Sequence, residues 1–139
     1  MKLLIDSHIL LWAAVDDVRL RGPLRTAFAD PTNSLLVSVA TLWELSIKYS
    51  LGKLPLPVAP SDFFAREIAT RGYSVVPIGR AHAERLALLP YPHSGHRDLF
   101  DRMLVSQALV EGLVLLSGDG RLGDYAAFGL QLFDHTGPG

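Results

Sequence analysis

Four carboxylates in this 139-residue chain occupy positions from which they could meet around one metal ion. Asp6 directly follows the apolar run KLLI, and Asp119 lies two residues after the apolar run LVLLS. Glu44 lies in the helical pattern that follows the run SLLVS, and Asp101 lies near the start of the helical pattern that precedes LVLLS. Carboxylate clusters suit Mg²⁺ or Mn²⁺, and these ions activate water and stabilise the leaving oxygen of a phosphodiester. Metal-assisted phosphodiester hydrolysis is therefore one chemistry that these residues indicate.

Three of these acids also have an ordinary structural interpretation. Glu44 can pair with Lys48 across one helical turn, a contact that contributes about 0.2–0.5 kcal/mol. Asp6 can be a polar residue that ends a strand. Asp119, within SGDGRLG, can be a turn residue or a helix cap. The residues alone leave both interpretations open.

The segment HRDLFDRMLV separates two aspartates that look similar. Asp98 is placed to cap a helix, and Asp101 then falls in its first turn. At 100° per residue Asp101 shares its helix face only with apolar residues, namely Leu104, Val105, Ala108 and Leu109. A buried carboxylate is costly without a partner, and the chain offers no obvious lysine for Asp101. The pattern therefore predicts a cation in front of Asp101 and a capping role for Asp98.

Short apolar runs alternate with longer helical patterns along the chain. Strands are predicted at 2–5, 34–38, 73–78, 113–117 and 130–133, and helices at 7–15, 24–29, 40–52, 62–71, 80–89 and 98–111, with a short helix before the last strand. Ser7 and Ser61 are predicted as helix caps. This alternation predicts one three-layer α/β/α domain over residues 1–139, with a mostly parallel central sheet of four to five strands. Because ligands bind beyond the carboxyl ends of such strands, the acids should converge there.

Composition narrows the class of protein. Hydrophobic residues make up 49% and charged residues 19% of the chain, which argues against disorder, and the lack of cysteine excludes disulfides and thiol chemistry. A formal charge of −1 means that no overall basic field attracts nucleic acid, so RNA would be held by a local patch or by metal. Asp6 and His8 interrupt the apolar start, and no run approaches the ~18 apolar residues of a membrane span. We expect a soluble cytoplasmic protein that does not enter a membrane, with some of its apolar surface covered by a partner or a second copy.

Four segments resemble the PIN-domain nucleases, and within them the VapC-type toxins of bacterial toxin–antitoxin pairs. They are LLIDSHILLW, SVATLWELSIK, HRDLFDRMLVSQALVEGL and LVLLSGDGRL, of which the third is the most specific. Leu99 stands where close relatives often have proline, and Ser-Gly-Asp at 117–119 replaces the more usual Thr-x-Asp. Neither departure removes an acid.

The resemblance implies a PIN-like nuclease domain over residues 1–139 and a metal-dependent endoribonuclease of the type II toxin class, in which a metal-activated water hydrolyses RNA. It also implies a cognate, VapB-like antitoxin and commonly a homodimer. The acids that would catalyse the reaction and hold Mg²⁺ or Mn²⁺ are Asp6, Glu44, Asp101 and Asp119, and the residues lining their pocket are Ser7, Ser117 and Asp98. Candidates for contact with RNA phosphates or an antitoxin carboxylate are Arg97, Arg102 and Arg121, each of which could equally be a solvated arginine.

Other functional classes remain open at this point. One is a non-catalytic PIN-like or receiver-like binding module, although receivers want adjacent acids where this chain has Asp6 and Ser7. Another is a PIN nuclease that matures RNA outside any toxin–antitoxin pair. The glycines of SGDGRLG spell G-x-G-x-x-G, but residues 113–134 are too few for the ~30-residue dinucleotide-binding unit.

Several remaining residues are interpreted as structural or partner-facing. His93 and His96 are predicted to be loop residues and not ligands, because hard cations prefer oxygen. Trp12 and Trp43 are predicted to contact the core or a partner. Together with the proline-punctuated loop 53–60, the helices near these tryptophans form the predicted partner surface.

Overall fold

Five parallel strands form the central sheet of the protein, whose computed structural model describes residues 1–133. The strands are β1 (Lys2–Ile5), β2 (Ser34–Ser38), β3 (Ser74–Val76), β4 (Val114–Leu116) and β5 (Gln131–Leu132), in the order β3-β2-β1-β4-β5. β1 is central, and its residues Leu3, Leu4 and Ile5 are fully buried, as expected for a strand covered on both faces. All four strand pairings are parallel.

The helices pack in two layers, one on each face of the sheet. They are α1 (Ser7–Ala14), α2 (Gly22–Ala29), α3 (Val39–Ser50), α4 (Pro60–Arg71), α5 (Arg80–Leu88) and α6 (Leu99–Glu111), followed by a 3-10 helix over Gly120–Phe128. Since neighbouring residues of a strand point to opposite faces, Leu3 and Ile5 pack with α1, α2 and α4, whereas Leu4 packs with α6 and the 3-10 helix. This arrangement confirms the predicted α/β/α architecture.

Details of the element ends differ from the sequence-based predictions. Asp6, and not Ser7, caps α1, because its carboxylate accepts a hydrogen bond from the Ile9 backbone N–H. Ser61 lies inside α4, which begins at Pro60, a residue that suits a first turn because it lacks an N–H. The third strand is shorter than the predicted 73–78 and ends before Pro77, which has no N–H for a strand ladder. Within the described residues, no helix is long and apolar enough to cross a membrane.

Candidate active site

Asp6 is locked in place where β1 ends and α1 begins. Its side chain is 2% exposed. One carboxylate oxygen, Oδ1, accepts from the Ile9 N–H at 2.9 Å. The other, Oδ2, accepts from the Ser117 hydroxyl at 2.5 Å and from the Gly118 N–H at 3.1 Å. Because β1 pairs with β4, with Ile5 opposite Leu116, the turn that follows β4 is fixed against Asp6.

Asp119 sits in that turn and caps the 3-10 helix. Its backbone N–H donates to the Ser117 Oγ at 2.8 Å, so Ser117 connects Asp6 to Asp119. Its carboxylate pairs with Arg121, whose Nη2 lies 2.8 Å from Oδ2, and this contact lowers the pKa of Asp119. The predicted interpretations of Asp119 as a helix cap and as a member of the acidic group are thus compatible.

Asp98 and Asp101 differ as the helical pattern predicts. The Asp98 Oδ1 caps α6 by accepting from the N–H groups of Phe100 and Asp101, at 3.0 and 2.9 Å. The Asp101 side chain is only 14% exposed, and its Oδ2 lies 3.1 Å from the Nε2 of His96. Burial first, and then the charge of Asp98, raise the pKa of Asp101 to about 6, although the hydrogen bond from His96 acts in the opposite direction.

Two acids and a histidine lie close together at this edge of the sheet, and Asp6 acts on Asp101 through its charge. Ligand atoms of His96, Asp101 and Asp119 all lie within 4.8 Å of one another. The negative charge of Asp6 also contributes to the raised pKa of Asp101. His8, half exposed with its Nδ1 3.6 Å from the Asp6 Oδ2, has its pKa raised chiefly by Asp6 and further by Asp101 and Asp119. Asp6, Asp101 and Asp119 therefore share one electrostatic environment.

Glu44 is buried on α3 and forms an ion pair with Lys48. Its Oε2 accepts from the Lys48 Nζ at 2.6 Å, which is the helical pair that the spacing suggested. Trp43 packs edge-on against Phe100 with ring centroids 5.1 Å apart, so this part of α3 lies beside the start of α6. Among residues 1–133, no hydrogen bond or ion pair joins Glu44 to Asp6, Asp101 or Asp119.

The prediction that Arg102 contacts RNA or an antitoxin is wrong. Its side chain is buried and donates to the carbonyl oxygens of Leu89 and Pro90, at 2.8 and 3.1 Å, and to the Tyr125 hydroxyl at 3.2 Å. It also lies 3.8 Å above the Tyr91 ring. The Arg102 guanidinium therefore holds the loop before α6 in place. Because it is buried by these contacts, the guanidinium is not available at the surface.

The other two arginines remain accessible. Arg97 is exposed and lies 5.0 Å from the centre of the Tyr91 ring. The side chain of Arg121 is 68% exposed although it pairs with Asp119. Ser7 is buried at the first position of α1, and Ser117 is buried and hydrogen-bonded to both Asp6 and Asp119. Their role in lining a metal pocket stays a prediction.

His96 is the site residue that the sequence analysis missed. It does lie in a loop, as predicted, but its side chain is 1% exposed and contacts Asp101 directly. Asp101 thus has a histidine as its hydrogen-bond partner, where the sequence offered no obvious lysine. No periodicity marks a buried loop residue, and its position two residues before the helix cap is the only sequence signal.

The donor set fits a hard divalent cation. Ligand atoms of Asp101 and Asp119 lie within 4.8 Å of one another, and the charge of the buried Asp6, on a third element, acts on Asp101. Oxygen ligands of this kind suit Mg²⁺ and Mn²⁺. The raised pKa of Asp101 indicates that its charge is poorly compensated by the protein, as expected where an added cation would complete the site.

Metal affinity is expected to fall as the pH is lowered through about 6. A carboxyl with a raised pKa holds its proton at higher pH, so below about 6 a proton on Asp101 competes with the cation, whereas above it the carboxylate is free to bind. Calorimetric titration with Mn²⁺ should show a loss of up to about tenfold for each further pH unit. An affinity that stays constant between about pH 7.5 and about pH 5 would contradict a role for Asp101 as a ligand.

Gly118 is constrained by packing in the turn after β4, because the Trp12 ring occupies the space that a side chain would take there. A Cβ at residue 118 would lie 2.5 Å from Cη2 and 2.7 Å from Cζ3 of Trp12. Changing Gly118→Ala should displace this ring and destabilise the fold by about 1–3 kcal/mol. The displacement can be measured as a change in Trp12 fluorescence in a background where Trp43 is replaced by phenylalanine.

The matched control for this prediction is Gly120→Ala. A Cβ at residue 120 would meet nothing within 4 Å, so neither emission nor stability should change beyond the usual surface effect of about 0.5 kcal/mol. Equal effects of the two alanines would show that the contact between Gly118 and Trp12 is not what constrains this turn.

The sheet order, the two helical layers and the acids at the carboxyl edge define a class of protein. The family model of the PIN domain matches residues 3–127, and the chain belongs to the PIN domain family. Among individual relatives, it is 36% identical over 58 residues to Ribonuclease VapC16 of Mycobacterium tuberculosis (strain ATCC 25618 / H37Rv). That alignment covers 42% of this chain and spans only 41% of the relative's length.

Solved structures of VapC proteins and VapBC complexes share the fold. VapBC-1 from nontypeable Haemophilus influenzae matches with a TM-score of 0.63 and 17% identity, covering 99% of this chain and 100% of that one. VapC20 of M. tuberculosis, described as a Sarcin-Ricin loop cleaving toxin, matches with a TM-score of 0.62 and 17% identity, covering 98% and 99%. These similarities confirm the fold predicted from the family resemblance.

Proposed function

We propose that this chain is a metal-dependent endoribonuclease that acts as the toxin of a type II toxin–antitoxin pair. The observation that carries the proposal is the short distance between the Asp101 and Asp119 carboxylates at the carboxyl edge of the sheet, where the charge of Asp6 also acts on Asp101. Membership of the PIN domain family and the similarity to a protein named as a VapC ribonuclease support it.

In the proposed reaction these three acids hold Mg²⁺ or Mn²⁺, with Glu44 as the fourth acid of the group. The ion, when bound, supplies an activated water and neutralises charge on the phosphodiester. Ser117 and the Gly118 N–H hold the Asp6 carboxylate in a fixed orientation. Arg121 and His8, both at least half exposed beside the acids, are placed to contact RNA phosphates, and Arg97 lies near the start of the same helix.

Cleavage of a defined RNA in the presence of Mg²⁺, Mn²⁺ or EDTA tests the enzymatic part of the proposal. We expect fragments with either metal and none with EDTA, and growth arrest when the protein is produced alone in cells. Binding of RNA without cleavage under all three conditions would favour the binding-module alternative. Cleavage without growth arrest, in a chain whose gene has no neighbouring antitoxin gene, would favour RNA maturation.

The antitoxin is proposed to cover a groove between α1, the loop after α3 and α4. The groove has a volume of about 660 Å³, and its apolar lining includes Trp12, Leu54, Leu56 and Phe63. Loop 53–60 and Trp12, two parts of the partner surface predicted from the sequence, thus line a common groove. Trp43 is 46% exposed but does not line it.

Hydrogen exchange with and without the antitoxin tests this docking site. Residues 8–15 and 54–67 should become protected on binding, because their backbones border the groove. Protection confined to other segments would refute the proposed surface while leaving the nuclease proposal untouched.

A further inference from the structure

His96 is buried in a loop and uses both ring nitrogens. Its side chain is 1% exposed, although the loop between α5 and α6 carries no regular structure around it. Nδ1 lies 3.0 Å from the Tyr125 hydroxyl, and Nε2 lies 3.1 Å from the Asp101 Oδ2. Tyr125 is itself fully buried and packs edge-on against the imidazole with ring centroids 5.5 Å apart. The imidazole is therefore held on two sides.

The direction of these hydrogen bonds follows from Asp101, because an ionised carboxylate only accepts and a neutral imidazole must then donate from Nε2 and accept at Nδ1. The contact with Arg102 agrees with this direction. A guanidinium has donors only, so the Tyr125 hydroxyl oxygen accepts from Arg102 Nη1 at 3.2 Å. The hydroxyl hydrogen is then free to point at the nearer acceptor, His96 Nδ1 at 3.0 Å, and not at the His96 carbonyl at 3.4 Å. A neutral imidazole that accepts at Nδ1 carries its hydrogen on Nε2, and this N–H donates to Asp101.

We infer that His96 is a positioning residue of the metal site, oriented by Tyr125 and Arg102, which holds Asp101 Oδ2 and leaves Oδ1 for the cation. The inference rests on the proposed nuclease function. His96 is not a ligand in this arrangement, because neither ring nitrogen has a lone pair left over. Among the described residues, only His96 hydrogen-bonds the Asp101 carboxylate, and it does so at Oδ2.

The carboxylate needs such a partner because its surroundings are otherwise unfavourable. It is mostly buried, and the charges of Asp98 and Asp6 both act against its ionised form. Asp6 has Ser117 and the Gly118 N–H, and Asp119 has Arg121. The corresponding hydrogen-bond donor for the Asp101 carboxylate is the Nε2–H of His96. Hydrogen bonds of this kind fix the orientation of metal ligands, and their loss typically costs about 10–100-fold in metal affinity or activity.

Three substitutions in the full chain test the inference, with Mn²⁺ as the probe. His96→Leu removes the donor and should weaken Mn²⁺ binding by about tenfold or more, measured by electron paramagnetic resonance. His96→Gln supplies an acceptor and a donor on atoms joined to one carbon, as in imidazole, and should restore most of the affinity. Tyr125→Phe leaves the ring in place but frees the imidazole, so its affinity should fall between wild type and His96→Leu.

His82 provides the matched control. It is equally buried, its Nδ1 accepts from the Gly79 N–H at 2.9 Å, and its Nε2 lies 2.8 Å from the Glu111 carboxylate. It contacts the last residue of α6, about 15 Å along the helix from Asp101 at 1.5 Å per residue. His82→Leu should lower the melting temperature measured in EDTA while leaving Mn²⁺ affinity unchanged.

The outcomes separate this inference from the function on which it rests. Wild-type protein that neither binds Mn²⁺ nor cleaves RNA overturns the proposed function and this inference with it. Wild-type protein that does both, with unchanged affinity in His96→Leu, overturns the inference alone. Equal losses in His96→Leu and His96→Gln would make His96 a ligand and not a positioning residue. If His96→Leu does not fold, unchanged affinity in Tyr125→Phe overturns the inference.

Discussion

Changing Asp101→Asn is expected to abolish RNA cleavage and at the same time to stabilise the metal-free protein. Asparagine keeps the shape and still accepts from His96, but it is a poor ligand for a hard cation. Losing about 4 kcal/mol of metal-assisted stabilisation corresponds to about a thousandfold in rate. The pKa of Asp101 is raised from 3.8 to about 6, so ionisation above pH 6 costs the folded state free energy that asparagine does not cost.

The expected gain in stability is about 1 kcal/mol at pH 8 after allowance for partial exposure, or roughly 3 °C in melting temperature. Asp62→Asn is the matched control, because Asp62 is also the third residue of its helix but is exposed. The Asp62→Asn variant should retain cleavage. Its free energy of unfolding should fall by about 0.3–1 kcal/mol, because it loses a negative charge near the positive end of the helix dipole. Cleavage that survives in Asp101→Asn would refute the catalytic assignment.

Changing Arg102→Met is expected to produce the largest loss of stability among the substitutions considered. The methionine fills similar space, but it leaves the carbonyls of Leu89 and Pro90 and the Tyr125 hydroxyl without their donor. The Tyr125 hydroxyl and the Leu89 carbonyl are buried, and an unsatisfied buried acceptor costs about 1–3 kcal/mol, so a total of about 3 kcal/mol and a fall of roughly 10 °C are expected. Thermal unfolding in EDTA measures this without interference from metal binding.

Arg97→Met is the control for this substitution, since both arginines lie over the Tyr91 ring. Arg97 is exposed and 5.0 Å from the ring centre, so its loss should cost under about 1 kcal/mol. If the two variants unfold at the same temperature, the buried hydrogen bonds of Arg102 do not stabilise the loop as argued.

The parts of the site that follow strands could be predicted from the sequence, and those that depend on loop packing could not. Asp6 and Asp119 follow apolar runs, and parallel pairing of β1 with β4 brings the ends of those runs together. Asp101 was recognisable because it interrupts an apolar helix face. Helix periodicity is local information, which is why it separated the cap Asp98 from the buried Asp101.

His96 and Arg102 escaped prediction for the opposite reason. Charged and loop residues are exposed by default, and only the folded chain shows that the loop 89–96 lies over the start of α6. There Arg102 finds two free carbonyls, and His96 finds a buried tyrosine. The sequence did not decide the role of Glu44. Its place in the helix after β2 is compatible with a metal site, and its spacing of four residues from Lys48 is compatible with the ion pair that the structure contains.

Asp6 has both a structural and a proposed catalytic role, so substitutions at the four acids should differ in their effect on stability. Its carboxylate caps α1 as well as facing the other acids, so a substitution by alanine removes a cap, at a cost of about 1 kcal/mol, along with activity. A substitution at Asp101 would remove the proposed activity while relieving an unfavourable charge. Cells escaping the proposed toxin should therefore more often carry full-length, well-folded copies altered at Asp101, whereas copies altered at Asp6 should also be cleared by proteolysis.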